Sequence, residues 1–405
     1  MKMTIENPFK SFWMAGFEST DQLNAKGDRV DFLHITSHLT FLNEDYERLA
    51  ACNLVAVREG VRWSQVETSP YVYDFSVVGH MIEVARNRSV QQIWDLCHFG
   101  FPEDLSPLHP QFTSRFTAFC RAFAIFWKGF DHEYPMIVTP INEVSFISWL
   151  GGDVAATSPF CHNNGWQVKY AYMKAYIAGV RELKNVDPGV RILTTEPLVH
   201  VSAAEEAFEI QIQAAADHNE LQFQVLDMLC GRICPELGGQ EDYLDILGCN
   251  YYYNNQWVLE PHVILGWNDA KPDPGYWALS DLLMGVYKRY DRPIILSETS
   301  HPGVDRPVWI DYVSSEVHKL LRQDVPFWGI CFYPIIDRPD WDDLDLWHHS
   351  GLWDSLGSLP EQQRLLHEPS FEALSYQQRR FSKILAECEN QKKYEATLND
   401  VGQDG

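Results

Sequence analysis

The sequence predicts a single (β/α)8 barrel, the α/β fold in which eight parallel strands close on themselves inside a ring of helices. Three observations carry this. Short apolar runs rich in β-branched and aromatic residues occur eight times between residues 11 and 333. Several are continuously apolar rather than alternating, as strands buried on both faces of a parallel sheet are. Polar turns and longer helical patterns separate them, and no Pro-, Gly- or Ser-rich linker divides the chain.

In order, the runs are SFWMAGF (11–17), NLVAVRE (53–59), VQQIWDLC (90–97), PMIVTPI (135–141), VRILTTE (190–196), LDILGCN (244–250), PIILSE (293–298) and FWGICFY (327–333). Between them, residues 112–130 carry Phe116, Phe119, Phe123 and Trp127 on one stripe at three- and four-residue spacing, a core-facing helix. Residues 167–183 read the same way, and 280–290 form a helix with Ser280 as its N-cap. A doubly wound open sheet would place a Gly-rich phosphate loop after its first strand, and MAGFE (14–18) is not G-x-G-x-x-G. The chain has 405 residues, beyond the roughly 250 of a typical barrel, so the surplus is expected in loops at the strand C-terminal ends. Residues 1–385 are assigned to the barrel. The polar stretch 386–405 has no apolar stripe and reads as a frayed helix end and a disordered terminus.

With 32 basic against 56 acidic residues the net charge is −24, which argues against a nucleic-acid partner and an anionic membrane surface. No window reaches the roughly 18 apolar residues of a membrane span, and the N-terminus has no signal-peptide pattern. Nine scattered cysteines, without zinc spacing, predict a reduced, cytoplasmic protein with no metal and no cofactor. Aromatic residues make up 13%, with 14 Trp and 18 Tyr, enough for flat faces that stack on sugars as well as for a core. Nothing in the sequence specifies an oligomeric state.

In such a barrel the chemistry sits at the strand C-terminal ends. There the chain offers Glu18 and Gln22, Arg58 and Glu59, His98, Asn142 and Glu143, Glu196, Asn250 and Tyr252, Glu298, and after the last strand Asp337, Asp340 and Trp341. Carboxylates on strands four and seven would face each other across the barrel mouth. Cleavage of a glycosidic bond needs such a pair, one protonated as acid and one ionised as nucleophile or base. Arg58 and Tyr252 suit the ionised partner, and Asn142 suits a sugar 2-hydroxyl. No G-x-S-x-G elbow and no H-E-x-x-H is present.

At these residues the sequence resembles the glycoside hydrolases of clan GH-A, most closely the family 1 β-glycosidases. The likeness runs in order through nearly the whole chain. FWMAGFESTDQ is similar to the first-strand segment ending in a sugar-binding Gln, which implies Gln22; VREGVRW implies Arg58 as the site arginine. CHFGFPEDL resembles the family's HWDLP segment, implying His98 as a hydroxyl ligand. TPINEV resembles its NEP motif, implying Glu143 as acid/base and Asn142 as the 2-hydroxyl ligand. GCNYYYNN implies Asn250 and Tyr252, and LSETSH, in the place of TENG, implies Glu298 as nucleophile. FYPIIDRPDW with HHSGLWD resembles the eighth-strand region, with Tyr333 in place of a Trp, and Asp340 and Trp341 near the distal hydroxyls. The resemblance implies a retaining β-glycosidase acting on a carbohydrate or glycoside. The departures (NEV, ETSH, Tyr333, Asp340) touch the sugar pocket and leave both carboxylates in place.

Two other readings use the same residues: a transglycosylase, in which an alcohol replaces water, and a non-catalytic carbohydrate-binding barrel. Glu196 reads as pocket-lining or structural, since its strand does not face the partner strand. The aspartates between 337 and 345 lack the EF-hand spacing, with Leu344 and Asp345 where a ligand and Gly belong, and read as a solvated loop.

Overall fold

A computed structural model describes residues 6–268, 273–357 and 362–401, with side chains through residue 385. Residues 402–405 of the expected tail, and the side chain of Cys388, lie outside the described residues.

All eight apolar runs form strands: β1 (Trp13–Gly16), β2 (Ala56–Gly60), β3 (Gln91–Cys97), β4 (Ile137–Ile141), β5 (Arg191–Pro197), β6 (Ile246–Asn250), β7 (Ile294–Thr299) and β8 (Phe327–Phe332). They are parallel and close in sequence order, β1 pairing with β2 through Met14↔Ala56 and with β8 through Trp13↔Ile330. The architecture is therefore the (β/α)8 barrel. Its main helices are α1 (Leu42–Ala51), α2 (Ser76–Asn87), α3 (Phe112–Trp127), α4 (Val144–Gly152), α5 (Gly165–Val186), α6 (Glu209–Leu221), α7 (Gln224–Leu229), α8 (Leu279–Tyr290), α9 (Arg306–Leu321) and α10 (Glu368–Val401).

Two apolar layers hold the barrel. The outer one lies between strands and helices and takes in the stripe of α3, where Phe116, Phe119 and Phe123 are fully buried. The inner one receives one side chain from each strand: Met14, Ala56, Ile93, Ile137, Leu193, Ile246, Ile295 and Cys331, with Phe9 added. These close the barrel's interior as a plug. Because strand side chains alternate, the next inward position on a strand lies two residues further on. At that level the chain switches to Gly16, Arg58, Asp95, Thr139, Thr195, Gly248 and Ser297. The polar floor of the site begins one pleat above an apolar plug.

The surplus length lies in loops after the strand ends. A hairpin (Glu67–Ser69 with Val72–Tyr73) follows β2, a three-stranded sheet is built from segments after β5 and β6, and a second hairpin (Trp353–Leu356 with Gln363–Leu366) follows β8. Ser280 is not a cap. The helix begins one residue earlier, and Ser280 Oγ donates to Glu316 Oε2 on α9 at 2.7 Å. The hydroxyl is thereby committed to a neighbouring helix. The eight described cysteines are free thiols. Among the described residues no helix is long and apolar enough to cross a membrane.

Candidate active site

Glu298 reaches the cavity through an irregularity in β7. Ile294 and Leu296 face the helices, so strict alternation would send residue 298 outward as well. The pairing of β7 with β6 shifts register between Leu296 and Glu298, and a bulge of this kind re-aims a side chain. Ser297 and Glu298 both point inward as a result. Thr299 is left facing α9, where it accepts a hydrogen bond from Trp309 Nε1 at 2.8 Å.

Glu298 is then gripped from two sides. Arg58 Nη1 donates to its Oε1 at 2.8 Å and the Tyr252 hydroxyl to its Oε2 at 2.8 Å. Arg58 itself is fully buried. Its other terminal nitrogen donates to Asp95 Oδ2 at 2.8 Å and to Asn142 Oδ1 at 3.1 Å, and Nη1 also meets the Ser297 carbonyl at 2.8 Å. Burial alone would push Asp95 up, but Arg58 and His98 outweigh it and hold this carboxyl below the usual range.

Glu143 is delivered by the turn from β4 into α4. The backbone N–H of Asn142 donates to the Cys97 carbonyl and that of Glu143 to the Thr195 carbonyl, each at 3.0 Å, so β3 and β5 clamp the two residues between them. Glu143 holds a left-handed conformation, φ 44° and ψ 57°, costly for a residue with a Cβ and typical of functional positions. Its carboxyl lies well above the usual range, first because it is buried and next because of the Glu298 charge. Thr195 Oγ1 donates to Asn142 Oδ1 at 2.7 Å, leaving the Asn142 amide nitrogen toward His98 Nε2 at 3.2 Å.

A third cluster closes the opposite wall. The Tyr333 hydroxyl donates to Glu18 Oε1 at 3.2 Å and lies 3.3 Å from His98 Nδ1, with the two rings stacked. Gly16 is what lets the Tyr333 ring in: a Cβ there would sit 2.2 Å from its Cδ2. Glu18 also accepts from Thr20 and pairs with Arg338 Nε at 3.2 Å. Burial works against its charge, and Arg338 and His98 overcome that, so it stays below the usual carboxylate range. His98 is raised: burial opposes its charge, and Asp95 and Glu18 outweigh burial.

Glu143, Glu298, His98, Tyr252, Tyr333, Asp340 and Trp341 line one cavity of about 1080 Å³. The Nε1 of Trp341 is buried without a partner, a donor open to a ligand. Arg58, Asn142 and Asn250 stand one layer behind; Asn250 Oδ1 accepts from Ser297 Oγ at 2.6 Å. Gln22 is buried but does not line the cavity, and Glu18 does. Sequence reasoning missed Asp95, whose signal is a charge inside the otherwise apolar end of a strand run. It also left Arg338 and His348, which line the cavity, without a sugar-binding role, and passed over Lys169. Glu196 lies behind α4, accepting from the Ser145 N–H at 3.1 Å. Asp342, Asp343 and Asp345 are exposed, as a solvated loop requires, but Asp337 is fully buried.

No protein-family model and no curated protein matches the chain. Solved structures do, and their class is that of family 1 β-glucosidases. A β-glucosidase from Thermotoga maritima in complex with methoxycarbonyl-substituted glucoimidazole superposes with a TM-score of 0.69 at 13% identity, over 91% of this chain and 98% of that one. A family 1 β-glucosidase from Thermotoga maritima gives 0.68 at 14%, over 85% and 86%. The complex of the Thermotoga maritima β-glucosidase with glucoimidazole gives 0.68 at 14%, over 84% and 87%. At these identities the likeness is one of fold.

Proposed function

We propose that this chain is a retaining β-glycosidase. The observation that carries the reading is the asymmetry between two carboxyls in one cavity: Glu298 is held by Arg58 and Tyr252, while Glu143 has its proton favoured by burial and by Glu298. In the first step a Glu298 oxygen attacks the anomeric carbon as Glu143 gives its proton to the leaving oxygen. A glycosyl ester forms and the glycosidic C–O bond breaks. Esterification removes the Glu298 charge, and with it one cause of the raised Glu143 carboxyl. Glu143 is then the anion that takes a proton from water, and water displaces Glu298 with a second inversion. Asn142, next to Glu143 and one layer behind the cavity wall, would meet the 2-hydroxyl with its amide nitrogen, giving up the contact to His98. Glu18, His98, Tyr333, Asp340 and Trp341 supply donors and acceptors for the other hydroxyls. The reading needs no metal and no cofactor.

The test is Glu298→Ala. Turnover of an aryl β-glycoside should fall by several orders of magnitude, and azide should restore it with an α-glycosyl azide as product. A Glu298→Ala enzyme with near-normal turnover sinks the assignment.

A further inference from the structure

Asp337, His349 and Asp354 converge at the base of the loop that follows β8, and none of the three lines the cavity. We propose that they form a binding site for a zinc-type divalent cation, which staples together the two ends of the loop spanning residues 337–349. The geometry is that of a coordination shell rather than of hydrogen bonds. His349 Nδ1 lies 3.5 Å from Asp337 Oδ2 and 3.5 Å from Asp354 Oδ1, longer than a good N–H···O bond. Two ligands about 2.0–2.1 Å from a tetrahedral zinc stand about 3.3–3.4 Å apart. All three ligand atoms lie within 4.8 Å of one another, so a metal would meet them once the two carboxylates close around it.

Asp337 Oδ2 supplies the independent observation. The residue is fully buried, its Oδ1 accepts from the Ser350 N–H at 3.1 Å, and Oδ2 has no hydrogen-bond partner. A buried carboxylate oxygen without a hydrogen bond is costly, and this one faces the imidazole at 3.5 Å and the second carboxylate beyond it. Asp337 is anchored from behind by the Ser350 N–H on its other oxygen, as metal ligands generally are. Arg306 Nη1 donates at 2.8 Å to the same Asp354 Oδ1 that faces His349, so that oxygen would be shared between the guanidinium and the ion. Three ligands with one imidazole suit zinc or a similar transition metal; magnesium and calcium ask for six or more oxygens. His349 is half-exposed, so the group is reached from solvent on the histidine side. Arg306 offsets one of the two negative charges, so the affinity belongs below that of a thiolate site. Between the ligands the chain carries Arg338, Asp340, Trp341 and His348, all on the cavity wall. A clamp at 337, 349 and 354 would fix the ends of that wall segment.

The experiment is zinc titration of the EDTA-treated full chain by calorimetry, with thermal unfolding alongside. One zinc per chain and a raised melting temperature are expected, with cobalt giving the visible bands of a four-coordinate ion. In His349→Asn the heat and the thermal shift should vanish; asparagine tolerates the left-handed backbone at this position, φ 53°. Asp354→Asn should lose both as well, and circular dichroism of each variant shows that it folds. No zinc-dependent shift in the parent, the behaviour of a bare histidine–carboxylate ion pair, overturns the proposal. Equal zinc binding by parent and His349→Asn overturns it too, as does binding of magnesium or calcium in preference to zinc.

Discussion

Glu143 and Glu298 are the same amino acid in one cavity, and their neighbours alone set them apart. Glu298 has a guanidinium and a phenol on its two oxygens; Glu143 has burial and a nearby negative charge. Because the Glu298 charge is the second cause of the Glu143 shift, Glu298→Gln should lower the Glu143 midpoint without returning it to the ordinary value, burial being untouched. A carbon-13 NMR or infrared titration of the Glu143 carboxyl in both proteins measures this; an unmoved midpoint would mean that the two groups do not sense one another. At this scale the sequence was legible where a motif carried the residue, as for Arg58 beside VREGVRW. It was illegible where the partner came from another strand. Asp95 is an unremarkable acid in QQIWDLC until β2 and β3 pair and bring Arg58 Nη2 to 2.8 Å. Gln22 and Glu18 lie four residues apart on one irregular segment, and only its path in space decides which of them meets the cavity.

Glu143 is the N-cap of helix α4, and Glu196 receives the helix's first free N–H groups, those of Val144 and Ser145. Burial, first among the causes, pushes Glu196 from an ordinary value near 4.5 up to about 7. A carboxyl raised in the folded state binds its proton more tightly there than in the unfolded chain. Its stabilisation is therefore complete below about pH 4.5 and is lost as pH rises to about 7. The full loss is about 3 kcal/mol at 1.36 kcal/mol per pH unit. Glu196→Gln keeps an acceptor for the helix and removes the titration. It should match the parent near pH 4 and exceed it by up to about 3 kcal/mol above pH 7 in denaturant unfolding. A parent and variant that differ equally at both pH values would exclude this origin. Elements were the most legible level of the sequence, since an apolar run buried on both faces leaves little freedom of interpretation. The register shift in β7 left no trace, because LSET reads as a regular strand end until its pairing with β6 slips between Leu296 and Glu298.

For the whole molecule, the excess of 56 acidic over 32 basic residues sets up a negative field around a cavity that itself holds several carboxylates. Anionic glycosides should be repelled on approach and neutral ones should not. Raising salt from about 0.01 M to 0.15 M shortens the screening length from about 30 Å to about 8 Å. For an aryl glycoside with a carboxylated leaving group kcat/KM should climb over that range, while for its uncharged analogue it stays level. Parallel responses of the two would deny the field any part in substrate choice. The barrel as a whole was legible because its order of strands is simply the order of the chain. The size of the cavity was not, since it is shaped by loops that pack against one another rather than by any one run of residues.

The ring formed by Met14, Ala56, Ile93, Ile137, Leu193, Ile246, Ile295 and Cys331 makes the cavity a well with a sealed bottom, and this imposes a traffic rule. Whatever is cleaved off must back out through the same opening by which water later enters. A bulky departing group would therefore hold up the second half of the cycle simply by lingering, even where its bond breaks quickly.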